Sequence, residues 1–132
     1  MREILFRGKR TDNGEWVYGN FSKPDIPGWP KTDRVFICGP IVSVYDVIPE
    51  TVGQYTGINA KNGQIFEGDI IKFGKSLGAV NYDEGCFCVK PVEQYRKRST
   101  NPAIDIVMNE YPDEIEIIGN IHDNPELLEA TT

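Results

Sequence analysis

Few of the residues that carry most enzyme chemistry are present in this sequence. It holds one histidine, His122, and three cysteines, Cys38, Cys86 and Cys88, and it has no Gly-x-Ser-x-Gly, Walker or Gly-x-Gly-x-x-Gly pattern. Nucleophilic or acid–base catalysis needs a base close to a nucleophile, and a lone histidine beside Asp123 reads as a surface or capping group instead. The expectation is a protein that is not an enzyme and has no catalytic residues. An odd cysteine count, with two of the three only two residues apart, makes a poor disulfide framework, so reduced thiols and a cytoplasmic location are expected. Every apolar stretch is interrupted by charge, Gly or Pro well short of the roughly 18 residues a spanning helix needs, so no membrane partner is expected. Met1-Arg2-Glu3-Ile4 runs into a strand-like pattern with no apolar leader segment, and no secretory signal is expected there.

A metal site is no better supported. Cys86 and Cys88, two apart in a strand, point to one face, and with Cys38 and His122 they would make up a four-ligand zinc set in number. Cys-x-Cys is not the usual knuckle spacing, however, and neither Cys38 nor His122 has a second ligand nearby in sequence. Buried structural thiols are the commoner outcome, and no metal or cofactor is expected.

What the chain does have is turns. Thirteen glycines and nine prolines in 132 residues argue against a helical bundle. The length suits one domain, 1–132, with possible sub-regions at 1–47 (an N-terminal hairpin plus a Pro-rich excursion) and 48–130 (a barrel-like part). The net charge of −6 argues against a generally basic nucleic-acid binder. That acidity is concentrated: residues 103–132 hold eight acids and no Lys or Arg, which leaves 1–102 at +2.

Two Asn-Gly dipeptides, Asn13-Gly14 and Asn62-Gly63, lie between alternating segments and predict hairpins closed by tight I′ turns. Residues 22–34 hold three prolines and read as an excursion from the sheet. Further strands are expected at 35–38, 41–48, 69–73, 79–82, 86–89 and 115–121. Helix is expected only over Asn124–Ala130, where Asn caps and Pro opens a short turn, and over 91–98. Glu67-Gly68-Asp69 turning into Ile70-Ile71-Lys72-Phe73, with Gly78 at the next bend, resembles the opening of small SH3-like barrels. The fold class expected is mainly β: bent antiparallel sheets forming a pseudo-barrel, with an SH3-like C-terminal half and short helical insertions.

Three segments together resemble the YopX family of phage and prophage proteins. They are Arg2–Arg7 with Trp16-Val17-Tyr18-Gly19; Val47–Gly57, continuing through Lys61-Asn62-Gly63 to Ile65–Ile71; and Ile115–Leu128. Gly8 departs from the pattern, because members commonly place an aromatic near that position. The resemblance implies a complex β fold with curled sheets and a helical insertion, encoded in mobile elements of a bacterial host. It carries over no reaction, cofactor or catalytic residue.

Three candidate surfaces follow. Glu50, Thr51, Gln54, Tyr55 and Thr56 form a candidate partner-binding groove, against the alternative that this Gly-rich segment is architecture. Trp29 in the Pro-rich excursion is a candidate aromatic anchor for a protein partner or a second protomer. Arg2, Arg7, Lys9 and Arg10, beside Trp16 and Tyr18, are the candidate nucleic-acid surface. The leading expectation is a protein-binding module with a phage or host partner, acting as a homo-oligomer. Nucleic-acid binding through the basic N-terminal hairpin is the alternative.

Overall fold

A computed structural model describes residues 4–24, 27, 34–40, 43–83, 85–91, 103–110 and 113–128. The expected antiparallel β architecture is present, as two sheets with one short α-helix, and the sheets are not closed into a barrel. The strand orders are β4-β3-β2-β1-β5-β6 and β10-β7-β8-β9, and the chain divides into two compact units, 1–55 and 56–132.

The first unit is built on β1 (Phe6–Lys9), β2 (Trp16–Ser22), β3 (Val35–Cys38), β4 (Val44–Val47) and the start of β5 (Gly53–Ala60). Alternation decides its two faces. In β3, Val35 and Ile37 are buried while Phe36 and Cys38 are half-buried. Across the ladder, Val35 pairs with Val47 and Ile37 with Tyr45, and these pack with Phe6, Val17 and Val52 as one core. Residues opposite one another on neighbouring strands share a face, so a single register settles the whole core side. Gly19 has no room for a side chain, because a Cβ there would overlap the Cys38 carbonyl. The sheet curls until β1 nearly meets β4. Ile48 N–H donates to Lys9 O at 2.8 Å and Thr11 N–H to Asp46 O at 3.0 Å, around a lone Arg10–Val47 bridge. That contact does not extend into a strand pair, and the sheet is not closed into a barrel.

The second unit contains the remainder of β5, then β6 (Gly63–Phe66), β7 (Asp69–Phe73), β8 (Ser76–Asp83), β9 (Cys86–Pro91), α1 (Ile104–Glu110) and β10 (Glu116–Asn120). Its core is Ile65, Ile71, Phe73, Val80, Val89, Ile104, Val107 and Ile115. The four strands expected at 69–73, 79–82, 86–89 and 115–121 correspond to β7 to β10. Asp69 is buried and accepts the Phe66 N–H at 2.7 Å, closing the turn into β7 as its sequence context suggests.

Several details differ from expectation. Neither Asn-Gly dipeptide makes a I′ turn, because Asn13 and Asn62 do not take positive φ; among the described residues Asp113 is the only non-glycine that does. The first hairpin closes instead between Arg10 and Glu15, with Gly14 at φ 72° and the Asn13 side chain accepting the Glu15 N–H at 2.9 Å. In the second, Lys61 and Asn62 form the turn. The short C-terminal helix is a single 3₁₀ turn, Pro125–Leu128. The helix expected over 91–98 lies outside the described residues beyond Pro91. Helix α1 was not anticipated: Ile104, Ile106 and Val107 read as strand formers, but Ile104 and Val107 are buried three apart, on one helical face.

Candidate functional site

The segment 49–56 that stood out as a groove is largely turned inward. Pro49–Thr51 is one 3₁₀ turn. Thr51 is buried, accepts the Lys9 N–H at 2.9 Å and donates to Ile48 O at 2.6 Å, so its hydroxyl ties this turn to β1. Tyr55 is buried, and its N–H donates to Leu5 O at 2.8 Å. Thr56 is buried, donates to Ile65 O at 2.8 Å and accepts the Ile58 N–H at 3.2 Å. Glu50 is exposed and Gln54 is half-buried opposite Phe6. Of the five groove candidates, therefore, only Glu50 and Gln54 offer side chains outward to any extent. The hydroxyls of Thr51 and Thr56 serve the fold.

The basic N-terminal residues separate. Arg7 and Lys9 lie on the sheet face opposite the core. Arg7 is buried, with its guanidinium 4.6 Å from the Trp16 ring centre, and the Lys9 ammonium is 5.9 Å from the same ring. Arg10 sits on the core side, 5.0 Å from the Tyr45 ring, and grips the Asp12 carboxylate with Nε at 3.0 Å and Nη2 at 2.6 Å. That hydrogen bond is the main reason the Asp12 carboxyl titrates below its ordinary range and the Arg10 guanidinium above its own. Arg7 and Lys9 therefore share one face and Arg10 lies on the other, while Arg2 and Trp29 lie outside the described residues.

What the fold assembles instead is an aromatic face across β1–β4. The registers place Lys9 with Trp16, Arg7 with Tyr18, Asn20 with Cys38 and Val44, and Ser22 with Phe36 and Asp46 in successive rows on this side. Tyr18 is 48% exposed and Val44 60%, while Trp16 and Phe36 are half-buried. Arg34 lies 5.2 Å over the Phe36 ring and bonds Asp46 Oδ2 through Nε at 2.8 Å. Cations therefore stand at both ends of a strip in which Trp16, Tyr18, Phe36 and Val44 are joined by exposed Asn20 and half-buried Ser22, and Asp46 is the acid in its paired rows. Trp16 and Tyr18 were already singled out by the sequence; Phe36, Val44 and Arg34 were missed. Their signal was the alternation of Val35-Phe36-Ile37-Cys38, which puts Phe36 opposite the core once the neighbouring register is known.

In the second unit, Cys86 and Cys88 share one face of β9 with Sγ atoms 3.2 Å apart. No group of three or more His, Cys, Asp or Glu side chains suited to a metal occurs among the described residues. His122 belongs to a turn organised by Asn120, whose Oδ1 accepts the N–H groups of His122 at 3.0 Å and Asp123 at 2.9 Å. No helix among the described residues is long and apolar enough to cross a membrane.

Comparison with known proteins gives no match among curated sequences and none among solved structures. One family model, described as YopX protein, matches residues 5–129. That span takes in the ten strands of the described residues, the Asn62 turn and the Asn120-centred turn, and on it the chain belongs to the YopX family.

Proposed function

We propose that this protein is a non-enzymatic binding module, encoded by a phage or prophage and acting in the bacterial cytoplasm, which docks a protein partner through the β1–β4 face opposite the core. The observation that supports this most is the exposure of Tyr18 and Val44 beside Trp16 and Phe36, between Lys9 at one end and Arg34 at the other. Tyr, Trp and Arg are the residue types that dominate binding hot spots, and an apolar centre with charge at its margin is the usual anatomy of a protein interface. The cations select a partner whose contact surface is apolar with acidic side chains around it. A second copy of the chain meets that description in charge, because residues 56–132 hold thirteen acids against seven bases.

The test is a double variant, Tyr18→Ala with Val44→Ser, compared with the natural chain in affinity capture and in sedimentation. Both positions are exposed, so stability is expected to change by no more than about 0.5 kcal/mol each. Loss of the captured partner, or of self-association, with folding intact supports the reading. Unchanged capture overturns it. Nucleic acid is the second reading, favoured by the stacking of Arg7 and Lys9 on Trp16 beside exposed Tyr18. Tight binding of single-stranded oligonucleotides that collapses between about 50 and 200 mM salt would replace the protein-partner reading with that one.

A further inference from the structure

The two thiols of β9 suit a chemistry that the proposed docking face does not use. Cys86 is exposed and opens the strand directly after Gly85, which takes φ 85° in the turn from β8. Cys88 is 7% exposed, pairs with Asn81 on β8, and bridges to Ala103 on the other side of the strand. The Sγ atoms approach to 3.2 Å, a closer contact than two unbonded sulfurs ordinarily make. Cys88 is thus held from both sides, while Cys86 pairs with Asp83 at the last rung before the Gly85 turn.

We infer that Cys86 and Cys88 form a reversible peroxide-oxidation site, with Cys86 the thiol oxidised first and Cys88 the resolving thiol. Geometry decides against metal chelation. Two thiolates on a tetrahedral zinc at about 2.3 Å sit about 3.8 Å apart, so a metal would have to push these sulfurs apart. A disulfide of about 2.05 Å needs them drawn together, in the direction in which they already lean. A zinc site also needs further ligands, and no third His, Cys, Asp or Glu joins the pair among the described residues. Reactive redox thiols are characteristically accessible and next to a resolving cysteine, as Cys86 is.

The Cys86 thiolate attacks one oxygen of hydrogen peroxide, the O–O bond breaks, and hydroxide leaves and is protonated to water, giving a sulfenic acid. The Cys88 thiolate then attacks the Cys86 sulfur, the S–S bond forms, the S–O bond breaks, and a second water leaves. The two thiols lose two electrons and two protons, and one peroxide becomes two waters. Closing a ring across three residues of a strand strains the backbone at Cys86, and Gly85 is the place where that strain is absorbed most cheaply. A strained disulfide is readily reduced, so a thiol reductant reverses the change.

The experiment treats the folded, full-length chain with hydrogen peroxide, alkylates it in denaturant and maps its peptides by mass. Trypsin releases both cysteines in one peptide, residues 76–96, because Pro91 protects the bond after Lys90 and Cys38 lies elsewhere. The expected result is a 76–96 peptide two hydrogens lighter and unalkylated, restored by dithiothreitol, with Cys38 alkylated as before. Cys86→Ser changes an exposed residue and is expected to preserve the fold and lose the product entirely, whereas Cys38→Ser is expected to retain it. Sulfinic acid at Cys86 with Cys88 still alkylated, disulfide-linked dimers, or a bond to Cys38 would each overturn the inference.

Discussion

The Thr51 hydroxyl is the sharpest place to separate architecture from recognition in the segment 49–56. It accepts the Lys9 N–H at 2.9 Å and donates to Ile48 O at 2.6 Å while the residue is only 6% exposed. Thr51→Val keeps the shape and removes both bonds, leaving the Lys9 N–H without that acceptor at a site water reaches poorly. An unmatched buried donor costs about 1–3 kcal/mol. For a chain of this length that corresponds to a fall in melting temperature of roughly 4–12 °C. Thr51→Ser restores the oxygen and is expected to recover most of the loss. Both tryptophans, Trp16 and Trp29, lie within residues 1–55, so tryptophan fluorescence follows the unit that contains Thr51. Amide exchange at Lys9 adds a local readout and is expected to accelerate in Thr51→Val alone. A Thr51→Val chain that melts within about 1 °C of the natural one, with Lys9 exchange unchanged, would refute the structural role.

Asn62 is exposed, yet its Oδ1 accepts the Ile117 N–H at 2.9 Å and its Nδ2 donates to Ile117 O at 2.8 Å. Asn62→Ala is expected to cost about 1–2 kcal/mol, well above an ordinary surface change, read by urea denaturation; a cost below about 0.5 kcal/mol would show those bonds to be energetically idle. The Asp12 carboxyl is depressed in the folded state chiefly by its bond from Arg10, so the pair contributes above the unfolded carboxylate range near about pH 4 and is lost as pH falls through the lower folded value. The stability margin of the natural chain over Asp12→Asn is therefore expected at neutral pH and to shrink below about pH 4; a margin that widens on acidification would contradict this.

Much of the fold was legible because β structure writes itself in alternation. Val35-Phe36-Ile37-Cys38 and Asp69–Phe73 carry their strand character in local pattern, and Glu67-Gly68-Asp69 carries its turn. Helix α1 was not legible, since Ile-Asp-Ile-Val reads as strand and its helical face acquires meaning only against Ile71, Val89 and Ile115 in the same core. The two Asn-Gly turns were legible as hairpins but not in type. Asn62 spends its side chain on Ile117, fifty-five residues away, and no local rule anticipates that partner.

The candidate site divides in the same way. The chemistry of each residue belongs to the sequence: a cation at Lys9, an aromatic ring at Tyr18, thiols at Cys86 and Cys88, and hydroxyls at Thr51 and Thr56. Which of them face outward is a property of register. Pairing Arg7 with Tyr18 and Lys9 with Trp16 puts two cations on the aromatic face, while Arg10, one residue further on, goes to the other side and to Asp12. By itself, then, the sequence determined a β-rich YopX chain with an acidic end and no familiar catalytic motif. Folding is what turns Thr51, Tyr55 and Thr56 of the Gly-rich segment inward, carries the aromatic strip across the strands and makes two thiols meet. A strand's side chains alternate every residue, so their exposure depends on neighbours that sequence distance does not reveal.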